Sequence, residues 1–191
     1  LERGFARSFE LSNRTRRAML ELNRLRALRP APVPSELALN WVVVNFCGFG
    51  SEEALRFYEG ALSETRRRVE IRAPGSKRAA PAPQSGREER FRILWLHLKP
   101  YYASRQLEAL RQYGASIAFE EYNQVYWPPL DSRDPWRSLA DKMLYNFGWG
   151  SNERRLRLIE KSIDEYGIDG AVLFSHWGCR QNSGGAAGIR E

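Results

Sequence analysis

The chain holds little sulfur and little imidazole. Its 191 residues include two cysteines, Cys47 and Cys179, two methionines and two histidines. So few cysteines exclude a disulfide-rich scaffold, and there is no C-x-x-C pair of the kind that builds zinc or redox motifs. One disulfide remains possible on paper, but a reduced, cytoplasmic chain is the simpler reading. No run of about eighteen apolar residues occurs, so no membrane-spanning helix is expected. The longest apolar runs, Trp41–Val44 and Ala171–Phe174, are strand-sized. The opening residues Leu1-Glu2-Arg3-Gly4 carry no secretory h-region and no initiator methionine, so the sequence is expected to be part of a longer protein. There is no internal repeat.

What is present is ordinary for a globular protein: 42% hydrophobic and 28% charged residues, enough for one medium domain or parts of two. The net charge is +7. The surplus is mostly arginine scattered along helical stretches rather than massed in one block. That distribution argues against a nucleic-acid binder and suits an anionic small ligand such as a nucleotide or a coenzyme A thioester.

The spacing predicts a helix from Phe5 to Leu28, with Ala18, Leu22, Leu25 and Leu28 on one face. It stops at Arg29-Pro30-Ala31-Pro32-Val33-Pro34, because a residue before proline avoids the α region. Leu37–Phe46 fits a buried helix or a strand equally well. Ser51 reads as an N-cap with Glu52 and Glu53 in the first turn. Leu55, Tyr58 and Leu62 form its apolar stripe, and Arg66, Arg67 and Arg68 close the helix. Residues 73–90 are rich in proline, glycine, alanine and charge, and read as an exposed loop.

Beyond that loop the pattern alternates. Phe91–Leu98 reads as a strand, Ala103–Tyr113 as a helix ended by Gly114, and Ala115–Phe119 as a second strand. Asp134-Pro135 opens a helix that turns Leu139, Met143 and Leu144 inward. Ser151 or Asn152 opens another, with Leu156, Ile159, Ile163 and Tyr166 as its stripe and Gly167 after its end. Ala171–Phe174 reads as a continuous apolar strand of the kind buried in a parallel sheet. The expected fold class is therefore α/β: an open, doubly wound, mostly parallel sheet of flavodoxin-like or Rossmann-like form, incomplete, preceded by a mainly helical subdomain. Its expected parts are 1–34 (helix and proline-rich connector of a preceding domain), 35–72 (helical), 73–90 (flexible loop) and 91–191 (partial C-terminal α/β domain). A three-strand sheet leaves an edge bare, so the chain is expected to continue past Glu191.

Ligands of such sheets sit beyond the carboxyl ends of the strands. There the sequence places Phe174-Ser175-His176-Trp177-Gly178-Cys179-Arg180-Gln181. Gly178 permits backbone geometry that other residues resist. Asn182-Ser183-Gly184-Gly185 offers an N-cap and free N–H groups that would favour a thiolate or an anion. Cys179 in this setting is a nucleophile, a metal ligand or simply a small buried hydrophobe. His176 and Cys179, three residues apart, can share a metal only if other ligands come from elsewhere. His97, inside an apolar strand, reads as a satisfied core histidine. Cys47 and Trp177 read as packing residues. Tyr126 and Trp127 fit either aromatic core or a cleft lining.

The run Ser175-His176-Trp177-Gly178-Cys179-Arg180-Gln181 resembles the Ser-His-Trp-Gly-Cys-Lys/Arg-Gln motif of the 2-hydroxyacyl-CoA dehydratase and benzoyl-CoA reductase family. Other segments are similar to it as well. They are Arg92–Leu96 with Pro100-Tyr101-Tyr102, then Tyr126–Leu130 with Asp134-Pro135, then Tyr166–Val172 and the helix and connector of Asn13–Pro34. The resemblance implies a cytoplasmic iron–sulfur enzyme of two related subunits. Each subunit holds a cluster, generally [4Fe-4S], through three cysteines. An ATP-dependent iron–sulfur activator supplies one electron. In the dehydratases an (R)-2-hydroxyacyl-CoA then passes through a ketyl radical and loses water.

On this resemblance Cys179 corresponds to the third cluster cysteine, with the other two expected outside these residues. Ser175 and His176 would hydrogen-bond the acyl-CoA substrate or brace the cluster, with Gly178 and Gln181 beside the cofactor. A ring reductase of the benzoyl-CoA type is the nearest alternative reading. A non-catalytic, truncated relative that docks to the homologous partner subunit is the other.

Overall fold

In the computed structural model the described residues are 2–72, 89–102 and 105–190, so most of the expected loop, 73–88, lies outside them. The first element, α1 (Glu2–Arg26), stops four residues before Pro30. Leu28 therefore leaves the helical stripe and is exposed, whereas Ala18 and Leu22 are buried. The ambiguous stretch resolves as two short helices, α2 (Ser35–Ala38) and α3 (Trp41–Cys47). A long helix, α4 (Glu52–Arg72), follows, with the Ser51 hydroxyl accepting from the Ala54 N–H at 3.1 Å as the cap. It runs past the three arginines expected to end it.

Helices α1 and α4 lie parallel, and an ion-pair ladder records the register. Arg7 meets Glu52, Arg14 meets Glu59 and Glu21 meets Arg66, each pair 45 residues apart in sequence. Those rungs recur every seven residues, the repeat that keeps one helix seam facing another. Inside the ladder Met19, Leu22, Trp41, Tyr58, Leu62 and Trp127 form an apolar core. Trp127 arrives from the far half of the chain and closes that core, with Tyr126 half-buried against it.

The second half begins at β1 (Phe91–Leu96) and continues through α5 (Gln106–Gln112), β2 (Ala115–Glu120), a 3-10 turn (Glu121–Asn123), α6 (Pro135–Leu144), α7 (Asn152–Tyr166), β3 (Gly170–Leu173) and α8 (Arg180–Arg190). The order β2-β1-β3 is parallel throughout, with Ile93 opposite both Ile117 and Gly170. On one face Leu94, Leu96 and Phe119 pack on Ile159 and Tyr166 of α7. On the other, Trp95 and Ile117 pack with Leu107 and Leu110 of α5. The expected open, doubly wound parallel α/β sheet with a helical part is what forms, with three strands among the described residues.

Several details differ from expectation. Strand β1 ends at Leu96 because His97 takes a left-handed conformation, φ 69°, with its N–H captured by Glu121 at 3.0 Å. Strand β3 is not fully buried. It pairs only with β1 among the described residues, and Ala171 is exposed. Helix α6 buries no residue, and Met143 and Leu144 face outward. The buried face of α7 is Arg155, Ile159, Ser162 and Tyr166, one residue round from the apolar stripe, because Arg155 has a carboxylate to bury against. Glu89, counted with the loop, is an anchor: it accepts from Ala31, Arg92 and Ser116.

The two halves are joined by charge. Arg92, wholly buried on β1, donates to the carbonyls of Arg26 and Leu28 at the end of α1 and of Tyr166 at the end of α7. Both are helix ends where unpaired carbonyls favour a cation. Arg26 in turn donates to Glu120 at 2.6 Å and lies between the rings of Trp41 and Phe119.

Candidate functional site

The carboxyl ends of all three strands converge on one polar network. The Glu121 carboxylate follows β2. It accepts from Arg155 Nε at 2.5 Å and from a second Arg155 nitrogen at 2.8 Å, as well as from the His97 N–H after β1. Arg155 also donates to Asn182 Oδ1 at 3.2 Å, and Asn182 Nδ2 donates to the Phe174 carbonyl after β3 at 3.3 Å. Glu121, Arg155 and Asn182 are all buried. Burial opposes the Arg155 charge, yet the Glu121 hydrogen bonds and charge outweigh it and hold the guanidinium above its ordinary range. A bidentate, desolvated arginine–carboxylate pair fixes geometry more than it adds stability.

Beside this network opens a cavity of about 300 Å³. Cys179 and Gln181 line it together with His97, Tyr122, Phe46 and the turn Asn146–Trp149. The switch between the two winding directions of a 2-1-3 sheet lies between the ends of β1 and β3, and His97 and Cys179 stand on those two sides. Cys179 is half-exposed. Its N–H donates to the His176 carbonyl at 3.0 Å, and its carbonyl accepts from Ser183 at 3.0 Å, so Cys179 stands where an N-cap residue stands. The stretch Asn182–Gly185, expected to offer the N-cap, lies instead within α8.

The remaining expected site residues sit around the rim. The Ser175 and Ser183 hydroxyls are 3.3 Å apart. His176 is exposed, and its Nδ1 accepts from the Gly178 N–H at 3.2 Å. Neither side chain lines the cavity. Gly178 does not have a positive φ. A Cβ there would lie 3.3 Å from the exposed His176 ring, a tight approach that the ring can relieve by turning. Trp177, read as packing, is 99% exposed, and Cys47 is exposed at the end of α3.

His97 departs from the satisfied core histidine that was expected. It is buried and turned towards the Phe174 carbonyl, but its Nδ1 has no hydrogen-bond partner among the described residues. Burial lowers its pKa, so the ring is held neutral. Burial and the neighbouring Glu121 charge push the Tyr122 hydroxyl up, which keeps it protonated. Position at a strand end was the sequence signal available for His97. Glu121 and Arg155 carried no such signal, since charges 34 residues apart look like solvated helix faces until the chain folds.

Among the described residues no group of three histidine, cysteine or carboxylate side chains could hold a metal ion. The site offers one soft thiolate donor, Cys179, with open space beside it. That is one corner of a cluster's donor set and not the whole set. Against known families, the match is 2-hydroxyglutaryl-CoA dehydratase, D-component, over residues 2–191. The chain belongs to that family. No curated protein matches it. Family membership makes the chain a dehydratase-type component, and no helix among the described residues is long and apolar enough to cross a membrane.

Proposed function

We propose that the chain is a subunit of an iron–sulfur enzyme that eliminates water from an (R)-2-hydroxyacyl-CoA. In this reading Cys179 is one ligand of a [4Fe-4S] cluster whose other ligands come from outside these residues. The observation that carries the reading is the placement of Cys179, at the strand-end switch point and open to the cavity, in a chain of the D-component family. When bound, the cluster supplies single-electron chemistry to the acyl thioester. The chain's own residues hold and shape the site. Cys179 gives the thiolate, Gln181 and the Asn146–Trp149 turn wall the cavity, and Ser175 and His176 brace the loop from its solvent side. The partners in this reading are a homologous subunit, an ATP-dependent iron–sulfur activator and the acyl-CoA.

The test is iron. The assembled enzyme, purified without oxygen, should be brown with absorbance near about 400 nm from thiolate-to-iron charge transfer. Cys179→Ser should remove the iron of this subunit, and the variant should unfold at nearly the temperature of the iron-free wild type. A colourless native protein, or a Cys179→Ser variant that keeps its iron, defeats the reading. A non-catalytic docking role is the second reading, favoured by the single thiol donor at the site and by the exposed aromatic rim of Phe46, Trp149 and Trp177. It predicts unchanged turnover in the assembled enzyme when Cys179 is replaced. A benzoyl-CoA-type ring reductase is a different substrate choice for the same site, and turnover assays with the two substrate classes separate them.

A further inference from the structure

We infer that Glu121, Arg155, Asn182 and Gly185 form a positioning clamp that fixes the first turn of α8 and, through it, the Cys179 thiol at the cavity. The inference rests on the role proposed above for Cys179. Helix α8 buries two residues among those described, Asn182 and Gly185, and they lie three apart on one face. Both meet α7 at the same place. Asn182 accepts from Arg155, and a Cβ on Gly185 would lie 3.1 Å from Asn152 Oδ1 and 3.7 Å from an Arg155 nitrogen. Gly185 leaves room for the Asn152 and Arg155 side chains against this turn of α8.

Little else restrains this end of the helix. The loop before it is exposed at Ser175, His176, Trp177 and Gly178, and its side-chain tie to α8 is the exposed Ser175–Ser183 hydroxyl pair. β3 is the sheet's half-exposed edge. Asn182, by contrast, is 1% exposed and joins the end of β3, through Phe174, to Arg155 on α7. Glu121 then locks Arg155 to the ends of β2 and β1. The clamp thus refers the position of one helical turn to all three strands. Hydrogen bonds with fixed donor and acceptor geometry can do this where apolar packing would allow sliding.

The test uses the two cysteines of the 191-residue chain. Cys47, exposed on α3 and outside the clamp, is the internal reference for Cys179. Each is alkylated with iodoacetamide, and the two rates are followed by mass spectrometry. Asn182→Ala removes the hydrogen bonds to both Arg155 and Phe174 and should raise the Cys179 rate at least about fivefold, the opening expected for each ordinary hydrogen bond lost, leaving Cys47 unchanged. Gly185→Leu removes no polar group and should give the same selective rise, because a side chain that large must push the first turns of α8 off α7. Arg155→Lys keeps a cation facing Glu121 but cannot serve both partners, and should raise the Cys179 rate as well. Should Asn182→Ala fail to unfold cooperatively, the other two variants carry the test. Equal changes at both cysteines, or no change at Cys179 in folded variants, overturn the clamp. Because alkylation needs no iron, loss of the clamp and loss of the cluster reading are separately visible.

Discussion

The helical half and the strand ends solve opposite problems. The helical half buries Leu22, Trp41, Tyr58 and Leu62 among apolar neighbours and keeps the α1–α4 ion-pair ladder outside. The strand ends bury Glu121, Arg155, Asn182 and His97 and leave Phe46, Trp149 and Trp177 in solvent. Apolar burial of the first kind contributes about 25 cal/mol per Å² without specifying direction. A buried polar network contributes less net stability and a defined geometry. The first region is built to hold together and the second to place groups.

Substitutions in each region should separate these roles. The largest effect is expected at the seam. Arg92→Met leaves Glu89 without its cation and three helix-end carbonyls without a donor, and should cost about 3–5 kcal/mol by urea denaturation, as breaking a buried pair does. Leu22→Ala, in the filled helical core, should cost about 2–5 kcal/mol without altering the reactivity of Cys179. An Asn182→Ala protein that loses more stability than Leu22→Ala would erase the contrast between the two regions. Gly167→Ala is next. Gly167 ends α7 in the left-handed region, φ 56°, and a side chain there should cost about 1 kcal/mol in thermal unfolding.

The smallest effect belongs to the exposed ion pairs. Arg67 and Arg68 hold the Glu64 carboxyl at about 2, below its ordinary value of 4.5. A depressed carboxylate contributes stability that is present above pH 4.5 and lost as pH falls towards about 2. Glu64→Gln should therefore flatten the acid side of the melting profile slightly in low salt and not at all in high salt. A salt-independent loss would mean that Glu64 does more than pair with Arg67 and Arg68 along its own helix.

Much of the architecture was legible because it rests on local rules. Ser51 and Asp134 announced their helices by capping chemistry, Gly114 and Gly167 ended theirs, and Leu55, Tyr58 and Leu62 showed their stripe. The site was legible in part. Cys179 and Gln181 do share a cavity, and the loop motif led to them. The expectations for α6 and α7 failed for one reason: apolar periodicity assumes that charged residues face water. Arg155 faces Glu121, so α7 turned one residue round. On α6 the Lys142 ammonium faces the Phe49 and Trp127 rings, so Met143 and Leu144 turned outward.

By itself the sequence determined the element order, the parallel α/β character after Phe91 and the strand-to-loop position of Cys179. Each follows from neighbours within a few residues: caps, turn glycines, apolar periods and the motif around Cys179. Only the tertiary structure decided that Arg92 would tie α1 to α7, that Trp127 would close the helical core, and that three strand ends would meet at Glu121, Arg155 and Asn182. Those contacts join residues at least 27 positions apart in the chain. A buried charge is stable only beside its partner, and the partner's place exists only once the chain has folded.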